Sequence, residues 1–513
     1  MRADLVLKNA GVITMDPARP RAELVAIRGD KILRVGGNDE LEAVSGAKTG
    51  VIDCQGKTVV PGFNDAHCHV LSFVRKLLST DLSPLSAGSI ADIKGIIRRQ
   101  ARNTPRGKWL TGTDYNEFYL AEKRHPTRWD LDEAAPHHPV LLVHRSLHAC
   151  VLNSPALKLA GITGETPEPP GGLIERDLKS GEPNGLLFEM LGYIREKVLP
   201  PLSEEEMEKG IILANRHYLA RGITSLGEAT VTNDFERWQT FRRFKEAGKL
   251  RSRLSMMLGF DTLSQFQRAG LTSGSGDNEL RLGGVKIIPG EVSGRLSPPQ
   301  PELNRQALAA HRAGFQLAIH AIEESTLRAA ITALEYARSH SDQADRRHRI
   351  EHCSECPPHL LERLIALGAV VVTQPPFIYY SGERYLAQIP ADRLRWLYRI
   401  KSFLSAGLVT AGSSDSPVVP DNPLVGIYAA VTRRAETGQE LLPGEGITPL
   451  QALAMYTTNA AYASFEEDIK GSITRGKLAD LVILNGDPTR LAPEQIKDIR
   501  VEMTIIGGKP VEF

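Results

Sequence analysis

From about residue 59 to residue 413 the chain alternates short apolar runs with amphipathic stretches of helix length, and this alternation constrains the fold more than any other feature. Strands that are apolar on both faces need cover on both faces, and helical crossovers supply it. The pattern therefore predicts βα units around a parallel sheet. Nine candidate strands lie near Val59 to His67, Val140 to Arg145, Ile223 to Glu228, Leu254 to Leu258, Val285 to Ile288, Leu317 to His320, Arg349 to His352, Val370 to Gln374 and Leu408 to Ser413. A (β/α)₈ TIM barrel has one strand fewer. The segment from about Ser72 to Asn215 is too long for one ordinary crossover, so Val140 to Arg145 is assigned to a large insertion, about 75–215, after the first barrel strand. Lys286 then falls on the fourth strand, His320 on the fifth, His352 on the sixth and Asp415 after the eighth.

The two ends read differently. DLVLKNAGVIT, LVAIRGDKILRVGG and VIDCQGKTVV alternate β-branched residues with Gly or Asp bends and predict an antiparallel unit over 1–58. Residues 468–513 repeat that character, so the two ends are expected to pair into one small β domain around a barrel of residues 59–467. At 513 residues and 42% apolar content, the chain can bury a core of that size. Sixty-two Lys and Arg against 61 Asp and Glu leave a net charge of +1, with no field to draw in nucleic acid or an acidic membrane, so a small-molecule substrate is expected. Five scattered cysteines, no signal-peptide core and no apolar stretch of about 18 residues predict a soluble cytoplasmic protein.

The chemistry sits at the ends of the strands. His67 and His69 are two apart in VVPGFNDAHCHV, and period-two alternation puts both rings on one face, where they can chelate a cation or stand as a polar strand-end pair. His320 closes FQLAIH, His352 closes RIEH and Asp415 follows VTAGSSD, all at the carboxyl ends where barrel enzymes carry their chemistry. Four His and one Asp at one barrel end favour a metal site over separate structural roles. Lys286 in LGGVKII is the odd member, because an ammonium beside a divalent cation is repelled. It either adds carbon dioxide to become an anionic carbamate ligand, or snorkels from the barrel mouth, or holds a carboxylate.

These motifs, with RSLHACVLNSPALKLAGI, PGGLIERDLKSGEPNGLLFE, RGITSLGEA, AIHAIEEST, TAGSSDSPVVPDNPL, TPLQALAMYTTNAAYA and GSITRGKLADLVIL, resemble the metal-dependent amidohydrolase superfamily over nearly the whole chain. The resemblance is to its amidohydrolase-3 branch of YtcJ-like hydrolases and N-substituted formamide deformylases. It implies that the terminal segments form a small β-sandwich. It also implies that His67, His69, His320, His352 and Asp415 are metal ligands, that Lys286 is a carboxylated bridging ligand, and that His148 faces the substrate. One or two divalent ions, zinc first, are implied, and a homodimer would be unsurprising. The expected reaction is hydrolysis of a non-peptide C–N bond in an amide, formamide, carbamate or cyclic amide. Hydroxide generated on the metal attacks, Asp415 moves the proton, and His148 steadies the oxyanion. Deamination of a heterocycle is the enzymatic rival, and a non-catalytic binding barrel is the rival of another class. Two departures from the family pattern flank the pocket: KIIPGEVSGRLSPPQPEL after the fourth strand, and Ala321, Ile322, Glu323, Glu324 where the family reads Gly-Asp-Arg. Both bear on the substrate, and Glu291 is a subsidiary ligand candidate.

His148, Trp109, Tyr379 and Arg384 are assigned as substrate contacts, with Arg399 also available in the aromatic, Arg-rich stretch Gln374 to Lys401. Cys353 and Cys356 form a lone CxxC that is read as packing. The basic run Asp342 to Arg349 is read as a solvated loop. No GxGxxG or Walker loop calls for a nucleotide.

Overall fold

A computed structural model of the chain describes residues 1–169, 171–292, 295–342 and 346–512. Three of the segments singled out above, 170–189, 286–303 and the basic run 342–349, therefore lie in part outside the described residues. The chain divides into two compact units, one of Met1–Val70 with Ala214–Phe513 and one of Leu71–Leu213.

The larger unit is built on one eight-stranded parallel sheet: β1 (Phe63–Cys68), β2 (Ile223–Glu228), β3 (Arg253–Gly259), β4 (Leu280–Ile287), β5 (Leu317–Ala321), β6 (Arg349–His352), β7 (Val370–Thr373) and β8 (Thr410–Gly412). Each strand hydrogen-bonds its sequence neighbour, and the two edges meet just past β8. There the Asp415 N–H donates to the His67 carbonyl at 2.8 Å and the His69 N–H donates to the Ser416 carbonyl at 2.7 Å. The result is a TIM-like barrel. All six residues of β1 and all four of β6 are buried, which is why these segments read as unbroken apolar runs carrying a few polar residues.

The first candidate strand proves to be two. Thr58–Pro61 pairs with Leu481–Leu484 and Gly11–Ile13 in a terminal sheet, the chain turns at Gly62, and only β1 enters the barrel. Both pieces are wholly buried, so apolar periodicity carries no mark of the break. The terminal segments form a four-stranded sheet and a six-stranded sheet. Leu7, Val25 and Ile27 of the first join Leu481, Ile483 and Ile505 of the second in one buried cluster. Two pairings here are parallel, Leu5–Lys8 with Gly50–Asp53 and Gly11–Ile13 with Thr58–Pro61, where the strand–turn pattern predicts antiparallel neighbours. Long connections rather than tight turns join these partners, and that is what permits the parallel register.

The Leu71–Leu213 unit has its own six-stranded sheet, which includes Val140–His144, and its own apolar clusters. Among the described residues no helix is long and apolar enough to cross a membrane.

Candidate metal centre

His67 is the fifth residue of β1 and His69 follows the strand, so both rings emerge at its carboxyl end. The His67 and His69 ring centroids lie 5.4 Å apart, His67 and His352 4.9 Å, and His320 and His352 4.4 Å. Asp415 comes in from the loop after β8, with its Oδ1 at 3.0 Å from His69 Nε2 and 3.5 Å from His67 Nε2. His67, His69 and Asp415 thereby place one donor atom each within 4.8 Å of one another.

In His67, His69 and His352 the other imidazole nitrogen is taken up behind the cluster. His67 Nδ1 contacts the Glu351 carboxylate, which Arg349 holds through Nε at 2.7 Å and Nη2 at 3.1 Å. The same Nη2 donates to the Ala66 carbonyl at 2.9 Å. His69 Nδ1 meets Thr230 Oγ1 at 2.9 Å, and His352 Nδ1 meets Gln374 Oε1 at 2.8 Å, while Gln374 in turn donates to Ser413 Oγ at 3.0 Å. Partners of this kind fix ring orientation and leave the opposite nitrogen for a cation. Asp65 steadies the Asp415 loop by accepting the Ser414 N–H at 3.0 Å.

Burial lowers His67 to a pKa of about 3 and drives His320 and His352 down as well, so the rings are neutral, the form that binds metal. Burial works to raise Asp415, but the hydrogen bond from His69, with the imidazoles of His352 and His67 beside it, outweighs burial and holds the carboxyl well below its ordinary range. Glu351 is likewise held low, burial being outweighed by Arg349 and His67. His352 and Asp415 both sit at positive φ, 67° and 58°. Such strain costs on the order of 1–3 kcal/mol per non-glycine residue and clusters where geometry serves a function.

Lys286 is the seventh residue of β4 and 1% exposed. Its Nζ has no hydrogen-bond partner among the described residues. Burial brings its pKa down to about 8, against the pull of Glu351 and Asp415. A buried amine brought toward neutrality by burial suits carbamate formation, although the carboxylates of Glu351 and Asp415 act against it. Four imidazoles and Asp415 suit a divalent cation.

Trp109 and His148 belong to the Leu71–Leu213 unit. There Trp109 packs on an apolar cluster, and His148, more than half exposed, pairs with Glu189 at 2.8 Å. Tyr379 packs between Tyr380 and Tyr428, Arg384 hydrogen-bonds Gln388, and Arg399 donates to the Cys356 carbonyl. Glu291 is exposed on a short hairpin, and Cys353 and Cys356 are free and buried. Sequence reasoning missed Arg349, Glu351, Thr230 and Gln374. The first two were visible as an Arg-x-Glu pair inside the otherwise apolar strand RIEH, whereas nothing in the sequence marks Thr230.

The amidohydrolase family matches residues 50–512. The N-substituted formamide deformylase of Arthrobacter pascens is 32% identical over 98% of this chain and 97% of its own length. YtcJ of Bacillus subtilis (strain 168), named as an amidohydrolase, is 28% identical over 98% of both chains. Among solved structures, an uncharacterised metal-dependent hydrolase from Pyrococcus horikoshii OT3 superposes with a TM-score of 0.77 at 24% identity, covering 96% of this chain and 99% of that one.

Proposed function

Because the chain belongs to the amidohydrolase family, we propose that it is a metal-dependent hydrolase cleaving a non-peptide C–N bond of a small molecule, an amide, formamide, carbamate or cyclic amide. The observation that supports this most is the convergence of His67, His69 and Asp415 donor atoms within 4.8 Å. On this reading His67, His69, His320, His352 and Asp415 hold one or two divalent ions, zinc first, and Lys286 joins them as a carbamate. The two terminal sheets are read as the family's small β-sandwich. Bound metal would supply a water acidified from a pKa of 15.7 to about 7 and a polarised carbonyl.

The chain's own residues do the rest. Asp415 is ionised at neutral pH, and its loop is pinned by Asp65 and by the His67 carbonyl, so its Oδ1 is positioned to take a proton and return it to the departing nitrogen. Glu351 and Thr230 turn the rings of His67 and His69 toward that carboxylate. N-substituted formamides are the first substrates to try, given the name of the 32%-identical relative.

The test is metal content by plasma mass spectrometry on protein purified without chelator and with bicarbonate, beside a panel of formamides, amides and cyclic amides. About two ions per chain with turnover of a panel member supports the bridged site. One ion with turnover removes the carbamate bridge and keeps the hydrolase. Protein that holds no metal and turns over no C–N substrate overturns the proposal.

A further inference from the structure

The amino-terminal end of the barrel, opposite the metal centre, contains a cavity of about 250 Å³. Ser255, Ser273, Arg281, Gln316, Arg346 and Arg349 line it, and no carboxylate does among the described residues. Ser255 is the third residue of β3, Arg281 the second of β4 and Arg349 the first of β6, and Gln316 directly precedes β5, so four successive strands begin around this space. Gly283 and Gly284 keep one wall clear. A Cβ at Gly283 would meet Ser255 Oγ at 3.1 Å, and one at Gly284 would meet the Gln316 carbonyl at 2.7 Å.

Arg281 is what makes this more than a void. Its Nε is buried, and the guanidinium makes no hydrogen bond or ion pair among the described residues. Arg281 as a whole is only partly buried, but its buried Nε is a donor left without an acceptor, which is unfavourable, and an anion in the cavity would supply one. Arg349 faces the opposite demand, because its Nε and Nη2 already hold Glu351 and the Ala66 carbonyl. Planar guanidinium forks match oxyanions bidentately, and the serine hydroxyls add donors of the right kind.

We propose that this cavity is a binding site for a small oxyanion, a phosphate or a short carboxylate, held chiefly by Arg281 and shared with Arg349. The site is independent of the hydrolytic reading. It is connected to it physically, because the Arg349 that would touch the anion also carries the Glu351 that orients His67.

Isothermal titration calorimetry of the whole protein with inorganic phosphate, and separately with malonate, at constant ionic strength, tests this without any assay of hydrolysis. Saturable binding of about one anion per chain is expected for one of the two, and the tighter one identifies the source. Arg281→Gln should weaken it at least about tenfold, as loss of a charge-assisted fork requires. Ser273→Asp, which places a carboxylate in the lining, should do the same and serves if the first variant does not fold. Absence of saturation with both anions overturns the site. So does saturable binding that both variants leave unchanged, since the anion then sits elsewhere, as it would at the metal centre.

Discussion

At the scale of single residues, the site depends on side chains that never reach its centre. Glu351 is buried, held by Arg349, and turned onto His67 Nδ1, so its contribution is orientation of a ring that presents Nε2 to Asp415. Glu351→Gln should keep the volume and weaken zinc binding by about 10–100-fold in chelator competition, the usual consequence of losing a carboxylate behind a ligand histidine. Lys286 makes a sharper case, because stability and activity should part there. Its pKa falls from 10.5 to about 8 on folding, so the native state disfavours the ammonium fully below pH 8, less as pH rises toward 10.5, and not at all above it. That shift corresponds to about 3 kcal/mol at neutral pH. Lys286→Met should therefore raise the urea midpoint of the metal-free, carbonate-free protein at pH 7, with the gain fading at pH 10.5. The same variant should lose most of its hydrolytic activity. Lys286→Ala should be partly rescued by short carboxylic acids, and full activity in that variant would remove the bridge from the mechanism. Only the neutral amine adds carbon dioxide, so bicarbonate should reconstitute wild-type activity several-fold better at pH 8.5 than at pH 6.5. His67, His69, His320, His352, Lys286 and Asp415 were legible because each is polar in or beside an apolar strand. Thr230 and Gln374 were not, since a lone hydroxyl or amide after a strand has no spacing to betray its partner.

Between elements, the seam of β1 with β2 decides where the two histidines stand. The register slips there, with Leu226 opposite Asp65 and Glu228 opposite Cys68, and Gly227 fills the slip. A Cβ at Gly227 would lie 2.3 Å from the Ala66 carbonyl oxygen and 2.7 Å from its carbon, backbone that cannot rotate aside. Ala66 directly precedes His67, so relief of that clash must move the ligand. Gly227→Ala should cost about 1–3 kcal/mol, the range for overpacking a filled core, seen as a lower urea midpoint with unchanged slope. It should also weaken metal binding, which a glycine needed only for packing far from the site would not do. RGITSLGEA shows the strand plainly, but the reason for its glycine lies in β1, about 160 residues away in the chain. The same limit hid the break at Gly62. VVPGFND is apolar on both sides of the glycine, and only the partners Leu481–Leu484 and Ile223–Glu228 assign its halves to different sheets.

For the whole molecule, the barrel closes at the place where the proposed ion would sit. The sheet edges β1 and β8 are joined past β8 by backbone hydrogen bonds of His69 with Ser416 and of Asp415 with His67, and the side chains of His67, His69 and Asp415 converge across that same closure. A cation bound by these three would tie first strand to last, although about 350 residues of chain separate them. Binding to the folded state alone stabilises by about 4 kcal/mol at a thousandfold excess over Kd, so chelation should lower the melting temperature. The loss should not be uniform. Removing the ion takes away the link that supplements two backbone bonds, and local opening there becomes easier than opening of a continuous ladder such as β5 with β6. Hydrogen exchange after chelation should accelerate first at the amides of His69 and Asp415. The amides of Val140–His144, in a unit with its own sheet and apolar clusters, should keep their protection. Uniform acceleration over both units would mean that the ion stabilises the chain globally rather than at its seam. No change at either amide would mean that His67, His69 and Asp415 do not hold it.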